Sequence, residues 1–173
     1  MTTTPGTQGS ASGADPFDLH DVPWTAVSPR LATARLLVLG VWAVVLLVPT
    51  VALAAALDVA WLWAVPAVLA AALLWGALLV HRQVRALRYA ERDDDLLIRR
   101  GIMFRSLVVV PYGRMQFVDV SSGPLARRLG IATVQLHTAA PGTDATIPGL
   151  PPTEAARLRD RLASRGEARL AGL

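Results

Sequence analysis

Arg114, Arg127 and Arg128 are the residues of this 173-residue chain best suited to grip a ligand. A guanidinium fork matches the oxygen geometry of a phosphate or a carboxylate and stays charged at any physiological pH. If the segment Gly123 to Leu129 lies against a neighbouring sheet, all three converge on one acidic group. The competing reading is structural. In it Arg114 bonds carbonyls or pairs with Asp119, while Arg127 and Arg128 are solvated or touch lipid headgroups. Gln116 has the same two readings, since its amide serves either the backbone of a bound strand or its own sheet. Gly123 and Pro124 read as turn chemistry.

Other chemistries find less support. Ser121 or Ser122 with His137 and Asp119 supplies the residue types of a hydrolase, but their spacing does not resemble a nucleophile elbow. His20, His81 and His137 are scattered, so no histidine metal site is expected, and Asp93, Asp94 and Asp95 read as solvated turn formers. Cysteine is absent, which removes disulfides, thiolate metal sites and thiol catalysis. No glycine-rich phosphate cradle is present. Basicity alone suggests nucleic acid, without the interleaved aromatics that stack bases. The expectation is a protein that is not an enzyme, with no cofactor, no metal and no nucleic-acid partner.

The elements that must position these residues begin with an apolar run from Leu36 to Val80, in which Asp58 is the only charged residue. A bilayer core about 30 Å thick takes roughly 20 helical residues, so the run holds two crossings. Residues 36–57 and 59–80 read as a transmembrane hairpin with its turn near Asp58. Ala54, Ala55 and Ala56 imitate a signal-peptide cleavage site, but the long leader and the second span argue against one. Pro49 and Pro66 lie inside the spans and are expected to kink them. With no charge inside either span, transport or proton relay is a poor reading.

Positive charge near span ends is retained in the cytoplasm. Arg35 precedes the first span, and Arg82, Arg85 and Arg88 continue the second helix to phosphate level, whereas the turn carries Trp61 and Trp63, residues of the headgroup interface. Both termini are therefore expected in the cytoplasm of a two-span cell-membrane protein. All 17 basic residues are arginine, which reflects codon usage more than function. From His81 onward there are fifteen arginines against nine acidic residues, a net of +6 that suits an anionic leaflet.

Residues 1–35 read as a disordered tail and linker, because they hold few large apolar residues before Trp24. Residues 81–165 read as one β-rich domain and residues 166–173 as a C-terminal tail. Short extended runs cover Tyr89 to Arg92, Leu96 to Arg100, Ile102 to Val110, Gln116 to Val120, Ile131 to Thr138 and Ala145 to Leu150. In the fifth, Ala132, Val134 and Leu136 alternate with Thr133, Gln135 and His137, the signature of a half-buried strand. A closing helix starts after Pro151 and Pro152 with Thr153 as cap and Glu154 in its first turn. Ala155, Leu158 and Leu162 give it one apolar stripe, and Arg157, Arg159, Arg161 and Arg165 fill its remaining surface. The fold class is an α+β membrane protein: a two-helix hairpin, then a bent sheet or barrel that the last helix plugs.

The stretch Val110 to Gly130, with Pro111, Arg114, Met115, Gln116, Gly123-Pro124-Leu125 and Arg128-Leu129-Gly130, followed by Thr138-Ala139, resembles the bacterial pleckstrin-homology domain of the YdbS-like membrane proteins. Arg99-Arg100-Gly101 resembles that family's early hairpin, and two spans before the domain match its layout. The resemblance covers about Leu36 to Ala163. It implies a pleckstrin-homology-like bent β-barrel closed by a C-terminal helix, in a group without established catalytic activity. The expected function is an interaction or scaffold module at the cytoplasmic face. Its expected partners are membrane lipids and other membrane or membrane-associated proteins, copies of itself included. Binding of anionic headgroups is the alternative, and a membrane-bound enzyme with an unrecognised site the remote one.

Overall fold

The computed structural model describes residues 22–57, 59–139 and 144–170, with the side chains of residues 169 and 170 left aside. The tail expected over Met1 to Asp21, the turn at Asp58, residues 141–143 of the expected turn before Ala145 and the last three residues lie outside the described residues.

Two long helices, α1 (Arg30–Leu57) and α2 (Ala64–Ala86), are joined through a 3-10 turn at Ala60–Trp63 and pack side by side. Both are long and apolar enough to cross a membrane. Val41, Trp42, Val44, Val68, Leu74 and Trp75 point outward rather than into a core. A surface of this kind is at home in hydrocarbon, where helices alone satisfy their own backbone. Trp61 and Trp63 are exposed in the 3-10 turn, at the end remote from the domain.

The prolines differ from expectation. Pro66 falls in the first turn of α2, where its missing N–H has no helical acceptor to lose, so it starts the helix instead of kinking it. Pro49 alone is interior. Beside it the Thr50 hydroxyl donates to the carbonyls of Leu46 at 2.9 Å and Leu47 at 3.0 Å, within the turn that Pro49 deprives of a donor.

The domain is built from two antiparallel sheets. One has the order β1 (Thr25–Ala26), β2 (Arg88–Glu91), β3 (Asp95–Arg100) and β4 (Ser106–Pro111), and the other β5 (Met115–Ser121), β6 (Ala132–Thr138) and β7 (Ala145–Leu150). A one-turn helix α3 (Pro124–Arg128) links β5 to β6, and α4 (Pro152–Leu170) closes the fold. Thr25 pairs with Tyr89 and Ala26 with Arg88, so the membrane hairpin is an excursion between two neighbouring strands of one sheet.

Residues 22–35 are therefore not the linker that their composition suggests. Ser28 N–H donates to the Gly149 carbonyl at 2.9 Å, and Val27, Leu31 and Ala32 are buried in the domain's core. Gly149, with φ +79°, ends β7 against α1, and a Cβ there would stand 2.7 Å from the Leu31 Cβ. Only glycine lets helix and strand approach this closely.

Val84 and Leu87 enter the same core from the end of α2. They meet Tyr89, Leu96 and Ile98 of the first sheet, Val134, Leu136 and Ile147 of the second, and Ala155, Leu158 and Leu162 of α4. Full burial of each leucine contributes about 1.5–3 kcal/mol. The alternation expected in β6 and the stripe expected on α4 are both present.

Three boundaries shift. Arg88 is the first residue of β2, not a continuation of α2, because Leu87 must turn inward to the core. The run expected as a strand from Ile102 begins only at Ser106, since Gly101 at φ +95° turns the chain first. α4 continues past Arg165 to Leu170, and a Cβ on Gly166 would stand 3.7 Å from the Tyr112 carbonyl oxygen, so the C-terminal tail does not start at residue 166.

Candidate functional site

The strands give the domain two ends. β2 leaves α2 at Arg88 and turns back beyond Glu91, so residues 92–94 form the distal end. β3 returns, and the turn at residues 101–105 lies beside the helices.

The predicted arginines divide between these ends. Arg114 precedes β5 in a 3-10 turn (Tyr112–Arg114) packed on α4, and its carbonyl accepts the Ala139 N–H at 3.2 Å. β5 then runs seven residues, about 20 Å, toward α3, which carries Arg127 and Arg128. The three do not converge. All are exposed, as is Gln116 on β5. α3 instead docks on the start of α1: Arg30 reaches the Leu129 carbonyl at 3.5 Å. Ala126 and Leu129 are packed against the core. Arg127 and Arg128 thus sit where the first span meets the domain. Arg35 of α1 and Arg82 and Arg85 of α2 are exposed at the same end.

The residues named for hydrolysis do not assemble. The Ser122 hydroxyl donates to the Ile131 carbonyl at 2.9 Å. Ser121 pairs with Thr133, four positions along β6 from His137. The carboxylate partner of His137 is Asp144, at 3.1 Å from Nδ1, and its ring stacks on Phe117 with centroids 4.3 Å apart. Asp144 also accepts the Thr138 N–H at 2.9 Å. That backbone bond first, and His137 second, hold its carboxyl below the ordinary aspartate range. Among the described residues no group of acidic or histidine side chains is arranged to hold a metal.

The distal end holds an ionic network that residue spacing alone does not disclose. Arg157 bonds Glu91 at 2.8 Å and also Glu154, and Arg161 bonds Glu91 at 3.0 Å. The Tyr89 hydroxyl donates to Glu154 at 3.0 Å. Hydrogen bonding from Arg157 is the main reason that Glu154 titrates below the usual glutamate range. Burial, reinforced by Glu154, pushes Tyr89 well above the usual tyrosine value. The Tyr112 hydroxyl donates to the Arg92 carbonyl at 2.9 Å and accepts from Arg165 at 3.1 Å, while the Arg165 guanidinium lies 5.3 Å from the ring centre. Burial raises this tyrosine too. The helix surface that Arg157 and Arg161 occupy is therefore a clamp on β2. Glu91 is its hub, 66 residues from Arg157.

Among the described residues β4 and β5 each pair with one neighbouring strand only, so both lie at sheet edges, and α4 packs against β5. Each edge strand presents an exposed apolar side chain, Val109 on β4 and Phe117 on β5, the latter 57% exposed.

Two apolar helices followed by a β-rich domain closed by a helix are the layout that the sequence resemblance implies. Residues 32–166 match the bacterial PH domain family. The chain belongs to that family. The bacterial PH domain here is similar to the transmembrane protein YdbS of Bacillus subtilis (strain 168), with 43% identity over 75 residues, which are 43% of this chain and 46% of YdbS. The matched part thus spans under half of that curated relative. No solved structure matches the chain. Together with the two apolar helices, the relationship makes this a bacterial PH domain protein of the cell membrane.

Proposed function

We propose that this protein is a membrane-tethered, non-enzymatic adaptor that recruits a protein partner by strand addition to an open edge of its PH-like domain. The observation that carries this reading is the exposed Phe117 on edge strand β5. An unpaired strand offers a row of backbone donors and acceptors, and a partner strand that uses them gains specificity from a neighbouring apolar side chain. Tethering the domain in the plane of the membrane raises its effective concentration toward other membrane proteins. The arginines at the ends of both spans, against none in the turn, favour a cytoplasmic domain and cytoplasmic termini. A reporter fused after Leu173 and active only in the cytoplasm checks the orientation, and an external signal reverses it.

Replacement of Phe117 by a photo-crosslinking benzoylphenylalanine in native membranes tests the adaptor. The expected product is an adduct of the chain with one discrete protein. Absence of any protein adduct, or lipid adducts alone, overturns strand addition at β5 and leaves headgroup binding by Arg127 and Arg128 as the better reading.

A further inference from the structure

The turn between β3 and β4 departs from the way the rest of the domain treats apolar residues. Met103 is 83% exposed and Phe104 87%, the most of any large apolar side chain among the described residues. The turn is nonetheless tightly built. A Cβ on Gly101 would stand 1.9 Å from the Phe104 carbonyl oxygen, so the backbone closes on itself and presents Met103 and Phe104 at its tip. From residue 96 to residue 118 there is no acidic residue, while Arg99, Arg100 and Arg105 flank the tip.

Position gives this composition a meaning. The turn, α1 and α2 together wall a cavity of about 640 Å³. Its lining is amphipathic in the sense of a phospholipid: the guanidinium residues Arg35 and Arg100, the hydroxyl residues Ser106 and Thr146, and apolar residues that include Leu79, Met103 and Phe104. Leu79 belongs to the apolar stretch of the second span, and Arg82 follows it within one turn. The cavity thus adjoins the end of the second span's apolar stretch.

We propose that this cavity is a phospholipid site, with the lipid phosphate on Arg35 and Arg100, its first acyl methylenes against Leu79, and Met103 and Phe104 dipping into the interface beside it. An aromatic and a thioether side chain at headgroup depth are stable where the same side chains in water are not. Guanidinium forks take a phosphodiester oxygen pair directly. The site does not involve β5, so it stands or falls separately from strand addition.

The native chain has no cysteine, so single-cysteine probes are direct. The full chain is reconstituted in vesicles of phosphatidylglycerol and phosphatidylethanolamine, with an environment-sensitive nitrobenzoxadiazole label at Met103→Cys or at Asp93→Cys, the opposite end of β3. The label at 103 is expected to emit to the blue of the label at 93. It is also expected to be quenched several-fold more by lipids carrying a nitroxide near the headgroup and several-fold less by aqueous iodide. Arg35→Gln with Arg100→Gln is expected to reduce the lipid quenching at 103 and to leave emission at 93 unchanged. Equal iodide access at 103 and 93 overturns the proposal, and unchanged quenching in the double variant overturns the phosphate assignment. An emission shift at 103 on adding inorganic phosphate in lipid-free detergent would assign the cavity to free phosphate and overturn the lipid.

Discussion

The two ends of the domain are held by different physics. At the membrane end Val27, Leu31 and Ala32 before and within α1, with Val84 and Leu87 at the close of α2, share one core with the sheets. At the distal end Arg157, Arg161 and Arg165 of α4 clamp Glu91, Asp93 and Tyr112 from the surface. Apolar packing involves no charge for salt to screen or mild acid to titrate, whereas exposed ion pairs are worth little each and are screened. The contrast says that hairpin and domain are one folded unit, and that the far end is free to vary. A module whose orientation must be fixed at the membrane puts its strongest coupling there.

The largest effect is expected where helix and strand touch. Gly149→Ala meets Leu31 at 2.7 Å and forces alanine to φ +79°, which costs about 2–4 kcal/mol in urea unfolding of the full chain in micelles. Combined with Leu31→Gly, which removes the Cβ, Cγ and Cδ2 that the added methyl meets, the two losses should be less than additive; strict additivity would mean that the contact is absent.

A smaller loss is expected from the distal tyrosine. Tyr112→Phe leaves the ring buried and removes the bond to the Arg92 carbonyl, costing about 1–2 kcal/mol in the same assay.

The smallest effect is electrostatic. Glu154 titrates below its unfolded value, so its contribution is fully present above the ordinary glutamate range and is lost as pH falls through the lowered value. Glu154→Gln should therefore flatten the acid limb of the stability curve while changing neutral stability by about 1 kcal/mol or less. A steep acid limb surviving in this variant would place the acid-sensitive group elsewhere.

Much of this was readable in the residues. The uncharged run of the spans, the alternation in β6 and the spacing of Ala155, Leu158 and Leu162 each repeat a pattern long enough to carry a period. β1 is two residues long and has no period, so its pairing across the whole hairpin with Tyr89 was invisible. Ile102, Met103 and Phe104 look like strand because they are apolar, and only the conformation of Gly101 removes them from it. Arg114 and Arg127 are close in sequence and far apart in space, because a fully extended strand separates them. Glu91 as the partner of Arg157 and Arg161 depends on where α4 lands, which no local pattern encodes.

Hydrogen exchange of the full chain in lipid nanodiscs tests the single-unit account most directly. Amides of residues 25–28 are expected to be protected like those of Tyr89 and Ile98 in the adjoining strands, and to lose protection together with them in Gly149→Ala. Rapid exchange at residues 25–28 beside a fully protected barrel would contradict it, leaving the hairpin a simple tether.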